Sequence, residues 1–275
     1  MRHALSVDVE EYFQVGAFER VIDKRDWDAI PSRVEYNTDA VLALFAESGV
    51  KATFFTLGWV AERHPALIRR IVEGGHELAS HGWDHQRVFT MDAETFRADL
   101  GRARKALENA GGVPVSGYRA PSFSIDTRTP WAHPILAEEG YTYSSSVAPL
   151  KHDHYGWPDA PRYAFNPVPG SPLVEVPVTV AEFGSRRMAT GGGFFRLFPA
   201  MLTNHAVRQV AADGQPAVFY FHPWEIDPGQ PRIAGAPAKS RLRHYSRLGA
   251  MAGKLRGLIA RHDWTRMDAV VAGLA

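Results

Sequence analysis

"KATFFTLGWVAERHPALIRRIVEGGHELASHGWDH", residues 51–85, decides the fold. A short, β-rich apolar run (KATFFTL, 51–57) leads into a stretch with helical spacing (HPALIRRIVEGG, 64–75). A second short apolar run follows (HELAS, 76–80). Pro65 stands near the start of the helical stretch and Gly74 just past its end, as expected where Pro opens a first turn and Gly closes a last one. Strand, helix, strand is the unit from which parallel sheets are built.

The same alternation runs outward in both directions. HALSVDV (3–9) reads as a buried strand, and TDAVLALFAESG (38–49) follows with helical spacing and a Gly stop. DAETFRADLGRARKALENAGG (92–112) is a long amphipathic helix. PVSGYRA (114–120) and YTYSSS (141–146) read as strands separated by the helix-like TPWAHPILAEEG (129–140). From about 147 to 200 the chain is irregular and rich in Pro, Gly and aromatics, with LVEVPVTV (173–180) as its one clear strand. FPAMLTNHAVRQVAADG (198–214) is helical and AVFYF (217–221) is a strand. A closing basic helix over 239–262 places Leu242, Tyr245, Leu248, Leu255 and Leu258 on roughly one face. The expected class is α/β with parallel strands, open or closed into a barrel.

Composition narrows the function. The chain has 275 residues, 45% hydrophobic and 22% charged, which suits a globular protein with a sizeable core. Lys+Arg 31 against Asp+Glu 30 leaves +1, so no global field points to nucleic acid. With no cysteine there is no disulfide, thiolate ligand or cysteine nucleophile, and any metal must be held by His, Asp and Glu. The apolar ALSV near the N-terminus is too short for a signal peptide, and no run approaches the ~20 apolar residues of a membrane span. The expectation is a cytoplasmic protein that meets a membrane only through its substrate.

In parallel α/β folds reactive groups gather at the carboxyl ends of strands. Reading just past each strand gives Asp8, Glu10 and Glu11, then His81 and His85, then Arg119, then His222. Two imidazoles and a carboxylate suit Zn²⁺ or a similar divalent ion with positions open for water. A second carboxylate then serves as base and a third histidine as acid, and Arg119 can pair with the base carboxylate. Asp8 and Glu10, two apart on an extended strand, face one way. Glu10 is therefore the expected ligand and Asp8 the expected base, with Glu11 pointing away unless the strand has already ended. Asp84 is a candidate hydrogen-bond partner for a ligand imidazole. Tyr143, Trp157, Phe194, Phe195 and Trp224 are candidate aromatic contacts for a ligand. GGGFFR (191–196) lacks the Lys-Ser/Thr of a phosphate loop and reads as a tight turn or a place of close backbone approach. The basic helix from Lys239 to Arg261 reads as an attractor for an anionic glycan or lipid-linked precursor, or as a solvated face.

With SVDVEE (6–11), SHGWDH (80–85), RAP (119–121) and FYFHP (219–223) in that order, the chain resembles the polysaccharide deacetylases of carbohydrate esterase family 4, the NodB-homology group. Within it, the chain resembles the branch found with bacterial exopolysaccharide and exosortase loci. The resemblance covers about residues 4–225. It implies a distorted, incomplete (β/α) barrel and metal-assisted removal of N-acetyl groups from N-acetylhexosamine units, most simply with one Zn²⁺. It assigns Asp8 as base, His81 and His85 as metal ligands, Arg119 as the residue orienting the base, and His222 as acid. It also places the backbone N–H of Ser122 at the oxyanion. Two departures stand out: Val9 occupies the slot of a second aspartate in the first motif, and Ser122 rather than an aromatic follows RAP, with Phe123, one later, as the candidate wall of a sugar groove. The resemblance makes Tyr143, Trp157, Phe194, Phe195 and Trp224 candidates to stack on sugar rings. The expected organisation is a single catalytic domain, 1–275. Residues 1–230 form the core, with 147–200 a branch-specific segment, and 231–275 a C-terminal helical extension packed on the barrel. Relatives that hydrolyse small cyclic amides such as allantoin, and a catalytically silent carbohydrate-binding protein, are the alternative readings.

Overall fold

The computed structural model describes residues 1–152, 155–184 and 186–274. Its frame is a parallel sheet in which β1 (His3–Val9), β2 (Thr53–Thr56), β3 (Glu77–Ser80), β4 (Gly117–Tyr118), β5 (Tyr143–Ser144) and β6 (Val174–Glu175) lie side by side in chain order. A separate antiparallel hairpin, β7 (Val180–Phe183) and β8 (Arg186–Ala189), follows. β9 (Val218–Phe221) then returns to pair with β1, Ala4 opposite Val218 through Val7 opposite Phe221. On the other edge of β1, β10 (Trp264–Thr265) takes His3 and Ala4, and β2 takes Ser6 onward.

Helices cross between the strands: α1 (Val34–Ser48), α2 (Gly58–Arg63), α3 (Pro65–Glu73), α4 (Ala93–Gly111) and α5 (Ala132–Glu138) in the first half. In the second half α6 (Gly192–Leu197) and α7 (Ala200–Ala212) precede β9, and α8 (Ala238–Tyr245), α9 (Leu248–Ile259) and α10 (Met267–Ala272) follow it. The sheet curls into a distorted, incomplete (β/α) barrel, as expected. Among the described residues no strand pairing joins β6 to β9. The gap is spanned by Thr179, whose N–H donates to the Val218 carbonyl (3.1 Å) and whose hydroxyl accepts from the Val218 N–H (2.8 Å).

The two-residue period of the strands sorts side chains between two cores. Leu5, Val7 and Val9 of β1, Phe54 of β2, Leu78 of β3 and Phe219 and Phe221 of β9 belong to the larger apolar cluster that includes the helices. Ala4, Phe55, Ala79, Val218 and Tyr220, at the alternate positions, belong to the smaller cluster within the barrel. Ser6 and Asp8 share the parity of Ala4, so the strand pattern itself carries them inside. Helix stops follow sequence as read: Gly49 and Gly112 close α1 and α4 with left-handed φ of 66° and 67°.

Three expectations are corrected. LVEVPVTV is not one strand: it splits into β6 and the start of β7, with Pro177 between them unable to donate to a ladder. The closing basic helix is two helices, broken at Ser246 and Arg247, where Arg247 adopts φ 57°. The break lets the carbonyls of Arg243 (2.8 Å) and Ser246 accept from the buried guanidinium of Arg196, and Leu242 is left exposed while Leu248, Leu255 and Leu258 are buried. The segment 231–275 is also more than a helical extension, since its β10 joins the main sheet. Among the described residues no helix is long and apolar enough to cross a membrane.

Candidate metal centre and active site

β1 ends at Val9, and Glu10 follows buried, 1% exposed. The chain turns there, so Glu11 does not share its direction. The Glu11 carboxylate accepts from the backbone N–H of Arg33 (3.0 Å) and from the Ser32 hydroxyl. It thus sits on the unpaired donors at the start of α1, where the helix dipole favours an anion. Burial pushes the Glu11 carboxyl upward in pKa.

At the end of β3 the His81 N–H still donates to the Thr56 carbonyl (3.0 Å). Gly82 then takes φ 76° and His85 φ 60°, reversing the chain so that both imidazoles face Glu10. A left-handed histidine is an uncommon position, and the loop that carries it is tied to α4, where Asp99 accepts from the Trp83 N–H (3.1 Å). Donor atoms of Glu10, His81 and His85 all lie within 4.8 Å of one another. Nδ1 of His81 lies 2.8 Å from the Arg119 carbonyl, which can only accept. Nδ1 therefore carries the hydrogen, and Nε2 keeps a lone pair for a metal. Oε2 of Glu10 is buried and accepts no hydrogen bond, although Nε2 of His85 is 2.9 Å away. A carboxylate oxygen and an imidazole nitrogen facing each other at this distance, with His81 beside them, suit a shared cation. The residues present fit a divalent metal.

Arg119, 0% exposed, organises the other side. Its guanidinium donates to Asp8 Oδ1 (2.7 Å), Ser6 Oγ (2.8 Å), the Ser145 carbonyl (3.1 Å) and Ser145 Oγ (3.0 Å), and packs 4.1 Å over the Phe55 ring. One residue thus holds both the Asp8 carboxylate and, through its carbonyl, the His81 tautomer. His222 stands across from them, Nε2 3.7 Å from Glu10 Oε1. Its Nδ1 meets Glu225 Oε2 at 3.0 Å, and Glu225 Oε1 accepts from Arg196 Nε at 3.0 Å.

The charges sort by environment. Burial pushes His81 down to about 4, against the pull of Asp8, so its imidazole is neutral and can ligate. Burial also opposes charge on His222, but the Glu225 hydrogen bond and the Glu10 carboxylate overcome it and raise His222 to about 9. Burial likewise disfavours the Glu10 anion, yet His85, His222 and His81 hold it at about 2. A neutral imidazole and a protonated one therefore coexist in one site.

Asp8, Glu10, His81, His85, Arg119 and His222 converge. The remaining candidates divide. Ser122 lies just beyond Arg119 with φ 56°, and Phe123 follows at φ 50°, two consecutive left-handed residues that fix this backbone. Phe123 is buried, edge-on to Tyr220 (4.7 Å), and so is a packing residue rather than an open groove wall. Tyr143 is not at the site: it opens β5, and its hydroxyl donates to Glu77 at the start of β3 (2.7 Å), at the opposite strand ends. Trp224 is buried and offers no face to a sugar. Its ring is stacked between His222 (5.1 Å) and His244 (4.2 Å), and its indole N–H donates to Glu10 Oε1 (3.2 Å). Trp157 is partly exposed, with its N–H on the Ala148 carbonyl. Of the two phenylalanines, Phe194 is partly exposed and Phe195 is in the core. Asp84 pairs with Lys24 (2.7 Å) instead of a ligand imidazole. The glycines of GGGFFR approach Tyr220 closely, a Cβ on Gly191 meeting its ring at 2.5 Å. Sequence reasoning missed Glu225, Arg196, His244 and the indole N–H of Trp224. Only Glu225 left a trace, three residues after His222 in FHPWE.

Residues 26–144 match the family described as Polysaccharide deacetylase, and residues 145–272 match a Domain of unknown function, DUF3473. Asp8 and Glu10 precede the first match, His81, His85 and Arg119 lie in it, and His222 lies in the second. The chain is 29% identical over 126 residues to chitin deacetylase 1 of Cryptococcus neoformans, 44% of this chain and 26% of that protein. It is 32% identical over 89 residues to peptidoglycan-N-acetylglucosamine deacetylase PgdA of Listeria monocytogenes, 32% of this chain and 19% of that protein. The match thus spans about a quarter or less of these relatives. In structure, 98% of the chain follows 88% of a Mycobacterium smegmatis protein described as a polysaccharide deacetylase (TM-score 0.60, 24% identical). It follows 88% of Puue allantoinase comparably (TM-score 0.62, 18% identical). Likenesses this remote bear on the fold and leave the substrate to the chemistry of the site.

Proposed function

We propose, from the premise that residues 26–144 are a polysaccharide deacetylase domain, that the chain is a metal-dependent hydrolase. It removes N-acetyl groups from N-acetylhexosamine units of a bacterial polysaccharide or its precursor. The observation that carries the reading is the convergence of Glu10, His81 and His85 on one point, flanked by Asp8 on Arg119 and by His222 on Glu225. Two imidazoles, one carboxylate and no thiolate favour Zn²⁺. Such an ion, when bound, acidifies water and polarises a carbonyl oxygen.

The chain's own residues do the rest. Asp8, held in place by the Arg119 guanidinium, takes the proton from the attacking water. The N–H of Ser122, on a fixed backbone, is directed at the amide oxygen as it gains charge. His222, protonated and aimed by Glu225, gives its proton to the nitrogen as the C–N bond breaks, releasing acetate and an amine. Trp224 keeps Glu10 oriented through its indole N–H. The acid–x–acid form of SVDVEE supports Glu10 as the ligand, and the resemblance of the motifs is the ground for placing the chain in the exopolysaccharide-associated branch. The test is acetate release from N-acetylglucosamine oligomers by chelator-treated protein, before and after addition of Zn²⁺. Loss and recovery are expected. Full release from metal-free protein contradicts the reading.

A further inference from the structure

Between Pro228 and His262 the chain carries eight Lys and Arg and no Asp or Glu. The fold uses some of these: Lys254 donates to the carbonyls of Phe195, Arg196 and Phe198, and Arg256 pairs with Glu47. Arg232, Lys239, Arg241, Arg243 and Arg247 are exposed, and among the described residues none of them appears in an ion pair. These cations gather on one short helix and the turns that flank it.

Arg232 and Arg241 line an open cleft of about 630 Å³ together with Ile233, Leu242, Tyr245 and Ser246. The floor is ordered. The Arg232 guanidinium packs 4.8 Å over the Tyr245 ring, and the Tyr245 hydroxyl accepts from the Ile233 N–H (2.8 Å). At the rim, between Arg241 and Arg243, Leu242 is 70% exposed. The opposite face of α8 is fixed, because His244 is buried against Trp224 at 4.2 Å. The helix is therefore anchored through one face and presents arginines and a leucine on the other.

We propose that α8 and the cleft beneath Leu242 form a docking surface for an anionic lipid bilayer. Guanidinium forks match phosphate oxygens of headgroups, and an apolar side chain among them reaches the acyl boundary. A soluble anionic glycan would use the arginines but leave Leu242 without a role, which favours the bilayer. Docking through α8 holds the site within about a helix diameter, ~10 Å, of the headgroup layer, since the same helix stacks on Trp224. The inference does not depend on the deacetylase reading.

The test is co-sedimentation of the full chain with vesicles of phosphatidylcholine alone and of equal parts phosphatidylcholine and phosphatidylglycerol. Pelleting with the anionic vesicles only is expected. The double change Arg232→Glu/Arg241→Glu lowers partitioning more than about tenfold, from roughly fivefold per cation lost. Leu242→Ser lowers it several-fold. These positions are exposed, and Lys239→Glu on the same helix provides a further variant should one misfold. No pelleting with anionic vesicles, or pelleting unchanged in folded variants, overturns the proposal. So does full sensitivity to the arginines with none to Leu242 and equal competition by a soluble anionic oligosaccharide, which reassigns the cleft to a soluble anion.

Discussion

Replacing Glu225 by Gln tests the reasoning about the acid with almost no change in shape. Glu225 is 0% exposed and is held at about 2, because the His222 hydrogen bond and Arg196 outweigh its burial. It receives both the His222 N–H (3.1 Å) and the His222 ring (3.0 Å). At pH 7 a histidine titrating about two units higher is roughly 99% protonated. Without Glu225 only the Glu10 and Asp8 carboxylates oppose the burial penalty, and an imidazole that returns to its ordinary 6.5 is about a quarter protonated at that pH. The protonated fraction then falls by about fourfold, and acetate release at pH 7 falls with it, recovering partly as the pH is lowered. The direct assay is NMR titration of His222 in metal-free wild type and variant. A His222 midpoint unchanged near 9 in Glu225→Gln refutes the argument. Arg196 also loses its counter-charge, but it keeps the Arg243 and Ser246 carbonyls. The stability loss should thus fall at or below the ~3–5 kcal/mol of a broken buried pair.

Two further outcomes follow from buried charge. Arg119→Met strands the Asp8 carboxylate in the barrel, so urea unfolding should show a loss of about 3–5 kcal/mol, much of it recovered in Arg119→Met/Asp8→Asn; a single variant within 0.5 kcal/mol of wild type would be at odds with this order-of-magnitude expectation. His3 and His76 are both lowered by burial to about 4, and both use Nδ1 to accept a backbone N–H, from Ala217 (3.1 Å) and Ala52 (3.2 Å). Their folded pKa values lie below the unfolded ~6.5, so the unfolded chain binds more protons between those limits and stability falls as pH drops through that window. Each should contribute about 1 kcal/mol of loss by pH 5 once solvent screening is allowed for, and His76→Gln should flatten the decline in thermal midpoint.

The sheet was legible because its cause is local. HALSVDV is β1 residue for residue, and the two-residue period of that strand carries Ser6 and Asp8 to the face of Ala4. Chemistry at strand ends was legible for the same reason, since a parallel strand determines where its last side chain emerges. What sequence did not show was made by contacts distant along the chain. The strand period already turned Glu11 away from Glu10, but not onto its anchor, the start of α1 some twenty residues on, which claims its carboxylate. Trp224 and Tyr143 look like sugar platforms by residue type, yet one serves Glu10 and the other Glu77. The break between α8 and α9 serves Arg196, a residue about fifty positions earlier, and no helical periodicity records it.

One carboxylate must complete the centre with His81 and His85. Calorimetric titration of Zn²⁺ into wild type, Glu10→Gln and Glu11→Gln tests most directly whether it is Glu10. We predict one ion per chain in wild type and in Glu11→Gln, and at least a tenfold weaker site in Glu10→Gln. Binding that survives Glu10→Gln intact, or is lost only in Glu11→Gln, would contradict it.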